Sequence, residues 1–188
     1  MTIALIILAI VVAAVLGLLL YASTQPDSFR VERSAVIEAP KETLFDILTD
    51  LRRGAEWSPF EKGLTMKKAY SGPETGPGAA LEWAGKDTGA GTLTITDVTP
   101  SKIVLSLDMT KPMKASNTVE YAFEPEGDAT HMTWSIHGPM TMTSKLMGLF
   151  MSMDKMCGDQ FERGFKDLKI IAERKTPALP HDTNIAAA

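Results

Sequence analysis

One cysteine, Cys157, in 188 residues excludes an intrachain disulfide and any zinc site built from paired thiolates. Histidine is almost as scarce: His131, His137 and His181 stand at no helical ligand spacing to one another or to the cysteine, so neither a structural metal nor another cofactor is expected. Basic residues are not in excess. With 19 Lys and Arg against 23 Asp and Glu the net charge is −4, and the cations are scattered among the acids rather than gathered in a stripe, which argues against nucleic acid as a partner. A catalytic constellation is also missing. His137 falls by strand parity on the face opposite Met132, Trp134 and Ile136, and Cys157 has Phe150, Phe161 and Leu168 at helical spacing but no neighbouring histidine to activate it. Gly85-Lys86-Asp87 lacks the earlier glycine that a phosphate-binding loop requires.

What the chain does have is one long apolar run. From Ile3 to Leu20 there is no charge, and only Gly17 interrupts the Leu, Ile, Val and Ala. Extended to Ala22, a helix of this length rises about 30 Å, the thickness of a bilayer's hydrocarbon core. The competing interpretation is a cleaved secretory signal. Such a signal carries a basic leading segment, an apolar stretch of about 7–15 residues and a small-residue cleavage site. None of the three is present, since Leu20 or Tyr21 would occupy the position three residues before the nearest cuts. An uncleaved membrane anchor over 1–22 is therefore expected, followed by a short polar linker, 23–28. Arg30, Arg33 and Lys41 just after the span place the soluble part on the cytoplasmic side by the positive-inside rule.

Beyond the linker, Phe29, Val31, Arg33, Ala35 and Ile37 alternate with Arg30, Glu32, Ser34 and Val36, predicting a strand. A short helix over 42–51 follows Pro40, with Leu44, Phe45, Leu48 and Leu51 on one face. Six further strands are expected at about 64–71, 79–84, 91–98, 102–109, 113–124 and 129–137, separated by Gly, Pro and Asp breaks short enough to imply an antiparallel meander. After Gly138-Pro139 the pattern changes. Phe150, Met153, Cys157, Phe161, Gly164, Leu168 and Ile171 recur at helical spacing opposite charged residues, predicting one amphipathic helix over 144–174. The prolines and polar residues of 175–188 suggest a disordered tail. The strands present one apolar face and only the terminal helix is large enough to cover it, so an α+β domain over 29–174 is expected, its sheet wrapped around that helix.

Several stretches make the chain resemble the START-like superfamily, the helix-grip fold, and within it the polyketide-cyclase-like branch (SRPBCC). They are Val31-Glu32-Arg33-Ser34 through Ile37-Glu38-Ala39-Pro40, Trp57-Ser58-Pro59-Phe60-Glu61-Lys62, Tyr70-Ser71-Gly72-Pro73, Gly89-Ala90-Gly91, Thr99-Pro100, and Asp154-Lys155-Met156 with Phe161 and Gly164. The resemblance covers about 29–173. It implies a seven-stranded antiparallel sheet gripping the C-terminal helix around a cavity for a hydrophobic molecule. It brings no catalytic set that maps onto this chain residue by residue, and the superfamily includes enzymes, carriers and regulators.

Strand parity nominates the residues facing such a cavity. Leu81 and Trp83 share a face, as do Leu105, Leu107 and Met109 with Ile103; Asn117, Val119 and Tyr121; and Met132 and Trp134. Trp57 from the loop after the first helix, and Met147, Phe150, Cys157, Phe161 and Gly164 from the terminal helix, complete the set of ligand-binding candidates. Asn117 is the polar intruder, either bonded to backbone at a strand end or touching ligand. Six of the eleven methionines fall between 140 and 156, as core filler or as the lining of an entrance. Gly158 and Gly164 inside the helix imply either close approach to the sheet or space for a ligand. The expected function is a membrane-tethered binding or carrier protein for a hydrophobic small molecule or lipid. The alternative is a cyclase or dehydratase using Asn117, Glu120 or Tyr121, and a third is a docking module presenting its methionines.

Overall fold

Alternating side chains make each strand two-faced, and the resulting apolar faces have to be stacked in register before anything can cover them. In the computed structural model, which describes residues 2–148 and 152–174, seven strands do this. They are β1 (Ser28–Ile37), β2 (Lys67–Ser71), β3 (Ala80–Gly85), β4 (Gly89–Thr99), β5 (Lys102–Lys111), β6 (Ala115–Glu126) and β7 (Ala129–Pro139). All pairs are antiparallel, in the order β1-β7-β6-β5-β4-β3-β2. The first strand returns beside the last while the rest form a meander. One row of the register, Val31–Ile136–Val119–Leu105–Ile95, runs across five strands, and all five side chains are buried. A register shift between Ile95 and Asp97 bends β4 where the sheet curls. The second strand is shorter than the alternation suggests, with residues 64–66 outside it.

Helix α1 (Thr2–Ser23) is long and apolar enough to cross a membrane, and its side chains are exposed apart from Ala22 at its end. The expected short helix after β1 is divided: α2 (Lys41–Leu48) stops early, a 3-10 turn covers Leu51–Arg53, and α3 (Gly54–Trp57) follows. Asp50 is the cause. Its carboxylate accepts from the backbone N–H of Arg52 and caps the turn as a new start.

The single C-terminal helix expected over 144–174 is likewise two, α4 (Met142–Gly148) and α5 (Met153–Ala172). Ser152 adopts an extended backbone and its Oγ accepts from Lys155 N at 3.2 Å, so α5 begins with its own cap. Gly148 and Ser152, a poor helix residue and a good cap, were the available signals for that break. Leu149, Phe150 and Met151 lie outside the described residues, as does the tail 175–188. Helix α4 packs beside the end of α1. There Lys145 Nζ donates to Asp27 Oδ1 at 2.6 Å and Met140 N donates to the Asp27 carbonyl at 2.8 Å, which ties the connection after α1 to α4.

Helix α5 rests on β1, α2 and α3 and packs Phe161 and Phe165 against Trp134 of β7. Two glycines set its height. The guanidinium of Arg33 fills the space that a Cβ at Gly158 would need, while Nη1 and Nη2 donate to the two Asp154 carboxylate oxygens at 2.9 Å each and Nε lies 3.4 Å from Glu162. A Cβ at Gly164 would stand 2.6 Å from Trp134 Cζ3 and 3.1 Å from Pro59 Cδ. Gly164→Ala gains about 1 kcal/mol of helix propensity but overpacks the ring at a cost of about 1–3 kcal/mol. The substitution is therefore expected to lower the urea midpoint of the full chain in detergent; a raised midpoint would show that Trp134 yields without cost.

Candidate functional site

The concave face of the sheet has two covers, and the site lies where they leave space. Under α5, Trp134 of β7 stacks on Phe161 at 4.2 Å between centroids with the planes 14° apart. Trp57 of α3 meets Trp134 edge-on at 5.3 Å, and Tyr121 of β6 does so at 5.5 Å. Phe60 and Phe165 close two more edges, at 6.2 and 6.1 Å. Aromatic pairs in such geometries contribute about 0.5–1.5 kcal/mol each beyond their buried area, so this part of the face is packed shut.

Under α2, the 3-10 turn and α3, a chamber of about 30 Å³ remains, lined by Ile47, Leu48, Leu51, Trp57, Leu93 and Tyr121 together with Asp50, Ser58 and Glu61. That is room for one or two waters, far less than the cavity the resemblance implies. Glu61 carries the chamber's charge. Its Oε1 occupies the space that a Cβ at Gly54 would take, and its Oε2 accepts from Lys68 Nζ at 2.6 Å. The two side chains are only 10 % and 20 % exposed. The Tyr121 hydroxyl is held well above the ordinary phenol value, by burial first and by the charge of Glu61 second. Two buried indole N–H groups, Trp57 Nε1 and Trp134 Nε1, have no hydrogen-bond partner among the described residues.

Toward the β3–β4 turn the concave face is only partly covered. Leu93, Leu107 and Asn117 stand side by side in the register of β4, β5 and β6, and Gly91 and Met109 form the next row. Leu93, Leu107, Met109, Asn117 and Trp83 are all half-buried. The Trp83 ring lies over Gly91, 2.7 Å from where a Cβ would be, and its Nε1 donates to the Thr88 carbonyl at 3.2 Å.

The candidates chosen from the sequence thus separate. Trp57, Tyr121, Trp134, Phe161 and Gly164 meet in the aromatic cluster, and Trp57 and Tyr121 also line the chamber. Leu81, Leu105, Val119 and Met132 are buried core. Trp83, Leu107, Met109 and Asn117 belong to the partly covered end, where the Asn117 amide oxygen sits over Gly138, whose missing side chain admits it. Cys157 is half-buried on α5, its thiol pushed up by burial and then by the charge of Asp154, and so unreactive. Met147 is exposed on α4, and Phe150 lies outside the described residues.

Glu120 is on the convex face, 3.1 Å from Lys102 and 3.6 Å from Arg30, so Asn117, Glu120 and Tyr121 do not converge on one reacting atom. His137 is on that face too, its Nδ1 3.4 Å from Arg30 Nη1. His137 borders an open cleft of about 580 Å³ with Phe29, Arg30, Ser106, Ser116, Asn117 and Thr118, which is larger than the interior chamber. Glu61 and Lys68 were missed by sequence reasoning. Lys68 shares parity with Tyr70 on β2 and was legible as inward-facing; Glu61 sits in an irregular turn that no periodicity can orient.

Because its raised value keeps the phenol neutral, Tyr121 stabilises the fold fully below the unfolded phenol value of about 10, and this contribution declines as the pH rises past it. In an ultraviolet titration the phenolate absorbance of Tyr121, taken as the difference between wild type and Tyr121→Phe, should emerge only well above about pH 10. A difference emerging at the free-phenol value would show that the hydroxyl meets solvent.

No curated protein matches the chain in sequence. In fold it is similar to protein CV1439 of Chromobacterium violaceum, with TM-score 0.58, 16% identity and 79% of this chain and 99% of that one covered. It is similar also to the major latex-like protein 151 of Panax ginseng, with TM-score 0.55, 10% identity and coverage of 78% and 99%. A third likeness is the Aha1 dimer of Colwellia psychrerythraea, at TM-score 0.54, 15% identity and coverage of 79% and 98%. A family profile described as polyketide cyclase / dehydrase and lipid transport matches residues 28–173, from the first residue of β1 to just past α5. With that match and a seven-stranded antiparallel sheet gripping a C-terminal helix, the chain belongs to the polyketide cyclase / dehydrase and lipid transport family.

Proposed function

We propose that the chain is a membrane-tethered binding or carrier protein for a hydrophobic small molecule or lipid. The observation that carries this reading is the half-buried apolar strip of Trp83, Leu93, Leu107 and Met109 on the concave face, continuous through Leu93 with the interior chamber. An apolar surface left half-covered inside a curved sheet gains by covering itself with an apolar ligand, at about 25 cal/mol per Å² removed from water.

Helix α1 supplies the tether. Four residues, 24–27, connect it to β1, a reach of about 14 Å when extended, so the domain lies close to the bilayer. Asp27, bound to Lys145 and to Met140 N, holds α4 at the same level. Exposed Met142 and Met147 on α4 and Met156 on α5 are suited to a lipid-facing entrance, since unbranched thioethers repack around varied apolar partners. Leu149, Phe150 and Met151 between these helices lie outside the described residues, and the test therefore rests on α4. The proximity of Arg30, Arg33 and Lys41 to the span favours a cytoplasmic domain.

Mass spectrometry of the full chain purified in detergent should recover an apolar species at near-stoichiometric yield; repeated recovery of an empty protein that also ignores apolar fluorophores would sink the reading. With Met142 and Met147 both changed to Asp, the full chain should take up a fluorescent lipid from vesicles several-fold more slowly, with its circular dichroism unchanged. Unchanged uptake would remove the lipid-facing entrance and leave ligand binding standing.

A further inference from the structure

Three features of the chamber under α2 and α3 point to the same ligand group. Its volume, about 30 Å³, suits a small polar group rather than the body of a ligand. Trp57, one of its walls, carries a buried N–H without a partner among the described residues, and an unsatisfied buried donor costs about 1–3 kcal/mol. Glu61, another wall, is acceptor-only as a carboxylate, and only its Oε2 is engaged, by Lys68. Trp57 and Glu61 line the same small space, and a group that accepts one hydrogen bond and donates another would serve both.

A neutral hydroxyl does this. A ligand carboxylate would face the charge of Glu61, a carbonyl would leave Glu61 without a donor, and an ammonium would leave the Trp57 N–H unpaired. Leu93 lines the chamber and stands next to Leu107 in the register, so the apolar strip leads away from the same point. We infer that the chamber is the head-group seat of the ligand site, taking the hydroxyl of an alcohol or phenol between Trp57 Nε1 and the Glu61 carboxylate while the apolar body lies along Leu93, Leu107 and Met109. This rests on the binding function proposed above and adds the chemical class of the ligand to it. The Lys68 ammonium balances Glu61, and the un-ionised Tyr121 hydroxyl on the same wall is a second donor.

The test compares naphthol with naphthalene, which share an apolar body and differ by the hydroxyl. Both are measured by equilibrium dialysis against the full chain in nanodiscs, with empty nanodiscs subtracted. Wild type should bind naphthol about tenfold more tightly, the equivalent of one buried hydrogen-bonded pair. Trp57→Phe, which keeps a ring and removes the N–H, should bring the ratio of the two constants to within about threefold of one; because the readout is a ratio, a general loosening of the site does not move it. Equal binding of the two compounds by wild type would mean that the chamber holds water only, and would overturn the head-group seat without any reference to the variant. A tenfold preference that survives Trp57→Phe would overturn the role of the indole. If wild type binds neither compound, the binding function itself fails and the seat with it.

Discussion

Everything on the concave face depends on how closely α5 can approach the sheet. That distance is set by Trp134, which stacks on Phe161 at 4.2 Å and fills the space left by Gly164. A ring lying flat against a helix needs a position without a side chain, so Gly164 and Trp134 work as one unit. The second glycine does the same for charge. Gly158 admits the Arg33 guanidinium, whose paired hydrogen bonds to Asp154 fix the start of α5 over β1. Helix α5 is thereby pinned to the β1–β7 side, and the opposite side of the sheet needs a different cover.

That cover is the broken run of α2, the 3-10 turn and α3. Its irregularity is useful: three short pieces bring Trp57 and Glu61 over β4 and β6 without the regular stripe of a long helix, and a small chamber persists between them and Leu93 and Tyr121. A carboxylate this poorly exposed requires a partner, and Lys68 from edge strand β2 is that partner at 2.6 Å. Glu61 and Lys68 thus put charge at the closed end of the concave face, while Trp83, Leu93, Leu107 and Met109 make its half-covered end largely apolar, with Asn117 among them.

The helical break between Gly148 and Ser152 completes the arrangement. With α5 starting from its own cap, α4 is free to lie beside the end of α1, where Lys145, 6 % exposed, is neutralised by Asp27 at the close of the tether. The connection between α1 and β1 is consequently held at Asp27 by an ion pair to α4 and by a backbone hydrogen bond from Met140.

Much of this was decided by local pattern. Period-two alternation in seven segments, turn residues between them and helical periodicity after Gly138-Pro139 determined the α+β class and the meander, because one buried face per strand leaves few packings. The apolar run of α1 was determined by composition alone. Parity also placed Tyr121 and Trp134 on one face, where they meet. Only the tertiary structure decided which inward residues are sealed core, as Leu81, Leu105, Val119 and Met132 are, and which stay half-covered, as Trp83, Leu107, Met109 and Asn117 do, since parity assigns a face but not what lies above it. Glu61 and Lys68 show the same limit: their pairing joins an irregular turn to an edge strand, and it exists only because folding removes both charges from water at one point, where neither would be stable alone.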